Sequence, residues 1–183
     1  MRPILTALAL AGLVVPNLLA PGLALPAAAQ TAAPPVSTLT IALRDDPDIL
    51  DPTLGSAYVS RIVYASMCDK LIDIDAKLNL VPQLATSWEY EDPTRLVLRL
   101  RPGVVFHDGE PFNAEAVKYK LNRDLTIKGS MRVGEVNAIQ AIEVVDDLTV
   151  RLVLKAPSSP LLSQLADRAG VMISPKAAQA LGA

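Results

Sequence analysis

The segment PQLATSWEYEDPTRLVLRLRPGVVFHDGEPFNAEAV, residues 82–117, carries the clearest secondary-structure signals in the chain. Leucine alternates with valine and arginine over residues 96–101, which is the period of a β-strand with one apolar face. Residues 83–90 bring the single tryptophan, Trp88, onto a second strand, and a Glu-Asp-Pro-Thr turn at residues 91–94 separates the two. The pattern predicts a β-hairpin.

A helix is predicted after the next turn. Asn113 stands where a helix N-cap would accept a hydrogen bond from a free backbone amide. Apolar residues then recur at helical spacing from Ala114 to about Leu125. The basic residues between them are expected to face solvent, and these are Lys118, Lys120 and Arg123.

Similar signals flank this segment on both sides. Upstream, residues 37–43 predict a strand and residues 56–71 an amphipathic helix. Downstream, residues 139–154 predict a second hairpin, followed by two proline-started helices capped by Ser159 and Ser174. Because no βαβ repeat occurs, this mixture predicts an α/β fold of the mixed α+β kind.

Composition excludes two classes of protein. The 183 residues are 51% hydrophobic and 20% charged, with a formal net charge of -2. This balance argues against a disordered acidic tail and against a basic nucleic-acid-binding protein, so no nucleic-acid partner is expected. Arg2 is the only charged residue before Arg44, which makes the front of the chain much more apolar than the rest.

That front has the order of a secretory signal peptide. Arg2 precedes an apolar run over residues 4–15, and small residues lead to Ala29, after which we expect cleavage. Residues 1–29 are therefore predicted to be a signal peptide and residues 30–36 a flexible linker. The alternative, an N-terminal membrane anchor, is disfavoured because Pro16, Pro21 and Pro26 prevent a helix from continuing beyond the apolar run.

The single cysteine bears on location and on chemistry. A lipid anchor would need a cysteine at the new N-terminus, and Cys68 lies far downstream, so we expect an unanchored protein in a Gram-negative periplasm. One cysteine cannot form an internal disulfide, and the sequence favours a small buried hydrophobe over a reactive thiol.

The sequence contains no clear catalytic or metal-binding pattern. His107 is the only histidine and lies in a tight-turn context, which favours a structural role over a catalytic one. Neither GxGxxG nor GxxxxGK occurs, and no carboxylate cluster would complete a zinc site. We therefore expect no catalytic residue, no metal and no cofactor, and binding is favoured over catalysis.

Acidic residues crowd one loop near the start of the mature chain. A calcium loop or an acid pair is one interpretation, but two prolines interrupt the run and the glycine of a calcium loop is missing. A capped, solvated turn is the favoured interpretation. The residues concerned are Asp45, Asp46, Asp48 and Asp51.

Residues 82–125 resemble the signature of the family 5 extracellular solute-binding proteins, which are the peptide-, nickel-, opine- and glutathione-binding components of ABC importers. The tryptophan strand, the hairpin, the L-R-x-G-V-x-F-H-D-G turn and the A-x-x-V helix arrive in the family's order. Weaker agreement extends upstream to residues 50–52 and downstream to residues 174–177.

The resemblance implies a fold. It implies the periplasmic binding protein-like II fold, with residues 37–183 forming the first part of lobe I and its small inserted subdomain. The second lobe would be absent, because the chain stops where the family continues. We therefore expect an N-terminal fragment of a two-lobed solute-binding domain.

The resemblance also implies a function, a partner and ligand contacts. The expected function is periplasmic binding of di- or oligopeptides or glutathione-like ligands by closure of two lobes, as a monomer that docks on an inner-membrane ABC permease. Alternatives are a non-functional truncated remnant and a secreted hydrolase. In relatives the loop after the first strand lies along the cleft, which implies ligand contacts at Asp46, Pro47, Ser56 and Tyr58.

Overall fold

The computed structural model describes residues 38–181. The chain divides into two compact units, residues 1–40 and 41–183, and the second unit is described below. The predicted signal peptide, cleavage site and linker lie outside the described residues. None of the helices within residues 38–181 has the length and apolar character needed to cross a membrane.

The second unit contains both helices and antiparallel strands, which confirms the predicted mixture. In chain order the elements are α1 (Tyr58–Met67), β1 (Ile72–Ile74), β2 (Leu80–Pro82), β3 (Ala85–Asp92), β4 (Arg95–Leu100), α2 (Ala114–Thr126), α3 (Val133–Val136), β5 (Ile139–Asp146), β6 (Thr149–Leu154), α4 (Leu161–Leu165), a 3-10 turn (Arg168–Gly170) and α5 (Pro175–Ala180).

Both predicted hairpins are confirmed, and they join into one sheet. The strands lie in the order β3-β4-β6-β5, so the second strand of each hairpin forms the centre of the sheet. Trp88 pairs with Leu98 across the first hairpin. The two short strands β1 and β2, which the sequence analysis does not predict, form a separate antiparallel pair.

One face of the four-stranded sheet packs against α2. Leucines 96, 98 and 100 of β4 are buried there, as their alternation predicts. Helix α2 supplies Val117 and Leu121 to the same core. Its N-terminus is capped as predicted, because the Asn113 side chain accepts a hydrogen bond from the Ala116 amide at 3.0 Å.

Three local predictions are wrong. Residues 38–43 have no regular structure, and Ile41 is 63% exposed; a strand needs a hydrogen-bonded neighbour, and the described sheets do not pair with this segment. Helix α4 begins after Pro160 without a cap from Ser159, whereas Ser174 does cap α5. Helix α1 leaves Ile62 exposed although its spacing predicts a core position.

The prediction that Lys120 and Arg123 face solvent is also wrong. Lys120 is 0% exposed and Arg123 is 6% exposed. The Lys120 ammonium forms an ion pair with Asp124, one helical turn later, and donates to the Ala169 carbonyl oxygen at 2.8 Å. Because both charges of the pair are buried, removing one partner would leave the other without compensation.

Lys120→Ala should lower the free energy of unfolding by about 3 kcal/mol or more, because it leaves the Asp124 carboxylate buried and unpaired. Urea unfolding followed by circular dichroism measures the change. Lys128→Ala, at an exposed lysine beyond the end of α2, is the control and should change it by less than about 0.5 kcal/mol. An equally small effect at Lys120 would contradict the buried pair.

Candidate functional site

The candidate site is loop 44–57 together with the first turns of α1. All four residues predicted to contact ligand lie on it. Asp46 and Ser56 are exposed, Pro47 is half-buried, and the Tyr58 ring is 73% exposed at the start of α1. Hydrogen bonds from Ser56 to Asp48 close the loop. They hold Asp46 and Pro47, which adjoin Asp48 in sequence, near Ser56 and Tyr58.

Asp48 caps α1 from ten positions before the helix. Its carboxylate accepts hydrogen bonds from the Ser56 amide and hydroxyl, both at 2.7 Å, from the Ala57 amide at 3.0 Å and from the Ser60 hydroxyl at 2.8 Å. The residue in the N-cap position, Ala57, has no side chain that could do this. These bonds, led by the Ser56 amide, hold the pKa of Asp48 well below its ordinary value of 3.8.

Tyr64 of α1 fixes the middle of the loop. Its buried hydroxyl lies 2.6 Å from the Ile49 carbonyl oxygen and 3.0 Å from that of Asp51, and it donates its proton to one of them. Gly55 passes so close that an added Cβ would lie 2.2 Å from the hydroxyl oxygen. The loop therefore requires glycine at this position.

Two buried charged residues of α2, Arg123 and Asp124, also bind loop 44–57. The Arg123 guanidinium donates to both carboxylate oxygens of Asp51, at 3.1 and 2.6 Å. Burial raises the pKa of Asp51, but the bonds from Arg123 and from the Thr53 amide outweigh it and leave this pKa lowered. The Thr53 hydroxyl donates to Asp124 at 2.8 Å, which connects the loop to the Lys120 pair.

Two further arginines stand beside the loop. Arg61 forms an ion pair with Asp167, and its guanidinium lies 5.7 Å from the centre of the Tyr58 ring. Arg168 donates to the Ser56 carbonyl oxygen at 3.0 Å and to that of Gly55 at 3.3 Å. Within residues 38–181 no carboxylate lies at ion-pair distance from Arg168, and burial together with Arg132 and Arg61 lowers its pKa.

Most of this arrangement has no signal in the sequence. The predicted capped turn at Asp48 is correct in kind, but no local pattern shows that Asp48 caps α1. Arg61 lies in α1, directly after loop 44–57, whereas Arg168 comes 107 positions later and only the fold brings it to the loop. Arg168 carries no motif of its own, so no signal could have selected it.

A concave surface lies at the C-terminal end of α1. This cleft of about 420 Å³ is lined mainly by apolar side chains, including Met67, Phe106 and Met172, with Cys68 and His107 at its wall. Burial raises the pKa of the Cys68 thiol, which disfavours the nucleophilic thiolate. Among residues 38–181 no three His, Cys, Asp or Glu side chains are arranged to hold a metal ion.

Comparison with known proteins gives consistent matches. Residues 79–181 match the family model described as bacterial extracellular solute-binding proteins, family 5 middle. The glutathione-binding protein GsiB of Pectobacterium atrosepticum is 39% identical over 130 residues, which are 70% of this chain and 25% of that protein. The chain therefore spans about a quarter of the length of this curated relative.

Solved structures agree with this match. The binding protein AgaA of A. tumefaciens R10, in complex with agropinic acid, has a TM-score of 0.69 and 28% identity, over 75% of this chain and 28% of that one. The dipeptide-binding protein of Pseudoalteromonas sp. SM9913, in complex with Met-Leu, has a TM-score of 0.66 and 25% identity, over 74% of this chain and 31% of that one.

Asp48→Asn should remove part of the acid sensitivity of folding. A carboxyl with a lowered folded-state pKa stabilises the fold above its unfolded pKa, and this contribution is lost as pH falls toward the folded value. The variant should be less stable than wild type at about pH 7, and the difference should shrink at about pH 3. Urea midpoints at the two pH values measure it.

Asp45→Asn is the matched control for that experiment, because it removes an exposed carboxylate from the same loop. It should leave both midpoints close to wild type. A constant deficit of Asp48→Asn across the pH range would show that the charge of Asp48 does not support the cap.

Proposed function

Because this chain belongs to family 5 of the bacterial extracellular solute-binding proteins, we propose that it acts as the periplasmic solute-binding component of an ABC importer. Its proposed ligands are di- or oligopeptides or glutathione-like molecules, bound by closure of two lobes. The proposed partner is an ABC permease at the inner membrane, with the binding protein working as a monomer.

One observation carries the ligand class, namely the coordination of Arg168. This guanidinium is partly buried, and its contacts on loop 44–57 are two backbone carbonyl oxygens. A carbonyl is a weaker partner for a guanidinium than a carboxylate, which can accept two parallel hydrogen bonds. A peptide carboxylate or one of the two carboxylates of glutathione would supply that partner.

The four predicted contact residues fit the same proposal. The exposed carboxylate of Asp46 would receive the ammonium group that a peptide or glutathione carries. Pro47 and the exposed Tyr58 ring would pack against the apolar part of the ligand. The Ser56 amide and hydroxyl both donate to Asp48, and the Ser56 carbonyl oxygen accepts from Arg168. The proposed ligand contact of Ser56 is therefore through the lone pairs of its hydroxyl oxygen.

Binding rather than catalysis is part of this proposal. The relatives reported above are binding proteins by name. Acyl or glycosyl transfer would require an activated nucleophile beside a base. The raised pKa of the Cys68 thiol works against such a role, which supports binding over the hydrolase alternative.

Arg168→Gln should weaken glutathione binding by about tenfold or more, because the variant loses a charge-assisted hydrogen bond to the ligand carboxylate. Isothermal titration calorimetry with glutathione measures the loss, and Arg168→Lys should recover only part of it since a lysine cannot bond bidentately. Glutathione diethyl ester, which lacks both carboxylates, should bind wild type and Arg168→Gln about equally.

Arg99→Gln is the control for that titration, because it removes an exposed arginine from β4, on the sheet. Its affinity for glutathione should equal that of wild type. If wild type gives no heat and no rise in melting temperature with glutathione or with the dipeptide Met-Leu, the proposed function is wrong.

A further inference from the structure

A buried arginine, Arg132, joins loop 44–57 to the segment before α3. Arg132 is 1% exposed, and its Nη2 donates to the Gly55 carbonyl oxygen at 3.0 Å. Its Nη1 pairs with Glu135 of α3. The backbone beside it makes a parallel connection, because the Met131 amide donates to the Thr53 carbonyl oxygen at 2.9 Å.

Arg132 and Arg168 meet at one acceptor. Both donate to the Gly55 carbonyl oxygen, at 3.0 and 3.3 Å. Arg132 is buried and forms an ion pair with Glu135, whereas Arg168 is only partly buried and forms no ion pair with a carboxylate of the described residues. The position of this carbonyl therefore depends on Arg132, and the coordination of Arg168 depends on the position of the carbonyl.

We infer that Arg132 is a positioning residue that locks residues 51–56 into the ligand-receiving conformation before ligand arrives. This inference rests on the proposed function, because it assigns Arg132 a part in the same site. Arg132 touches no ligand in this scheme and acts through Gly55, Ser56 and Arg168. Without it, the loop would spend part of its time in conformations that cannot bind.

The contacts of Arg132 separate this role from general stabilisation. Its side-chain bonds go to the loop and to α3, and the four-stranded sheet keeps its own hydrogen bonds without it. The amides that would report on the loop are well defined: Leu54 and Gly55 donate to the Asp51 carbonyl oxygen, at 3.2 and 2.8 Å. Hydrogen exchange at these amides measures how often the loop opens.

Two variants test the inference. Arg132→Lys keeps the charge beside Glu135, but a lysine cannot reproduce the guanidinium fork that bonds Glu135 and Gly55 together. The double variant Arg132→Gln/Glu135→Gln removes both charges of the pair, so no buried charge is left unpaired. It tests the inference if Arg132→Lys folds poorly. Arg151→Gln, which breaks ion pairs with Glu91 and Glu143 on the sheet, is the control.

Hydrogen-exchange mass spectrometry of the whole chain should show protection lost at residues 51–57 in both variants and retained in β4 and β6. Glutathione affinity should fall by about tenfold, in proportion to the lost population of the ligand-receiving conformation of the loop. Arg151→Gln should change neither quantity.

Three results would overturn the inference: unchanged protection of the loop, a loop that loses protection while glutathione affinity stays at the wild-type value, or protection lost equally throughout the sheet. A wild-type chain that binds neither glutathione nor the dipeptide Met-Leu would count against the proposed function instead. In that case the exchange data alone decide whether Arg132 locks the loop.

Discussion

Charges that leave water must be paired, and this requirement governs the part of the molecule around α2. Lys120 and Asp124 lie side by side with no exposure to solvent. Asp124 in turn accepts from Thr53, and Arg123 on the same helix binds Asp51, so the pairing continues from the helix into loop 44–57. Loop 44–57 contains no regular secondary structure, and its position follows from the need to satisfy these buried charges.

The candidate site is built from these anchors and from α1. Asp48 supplies the helix cap that Ala57 cannot provide, Tyr64 occupies the space that only glycine leaves free at residue 55, and arginines hold two carbonyl oxygens. Asp48 and Ser56 lie eight positions apart, whereas Arg168 and Ser56 lie 112 positions apart. Such a loop offers its exposed groups in one arrangement, which lowers the entropy lost when a ligand binds.

The sheet could be predicted from the sequence because its signals are local. The alternation along β4, the turn between β3 and β4 and the Asn113 cap each depend on residues only a few positions away in the sequence. The burial of Lys120 could not be predicted, since a lysine beside an apolar helical stripe usually extends its ammonium into solvent, and the Ala169 carbonyl that accepts from it lies 49 positions away. The strand predicted at residues 37–43 fails for the related reason that strand pairing is decided elsewhere in the fold.

The candidate site contains two groups of residues that differ in their tolerance to substitution. Asp51, Thr53 and Gly55 are fixed by buried partners, so substitutions there would be removed by selection for folding. Asp46 and Tyr58 project from the anchored part, and their replacement costs the fold little. Duplicated genes of such a protein could therefore diverge in the surface that meets the solute while the same scaffold is inherited unchanged.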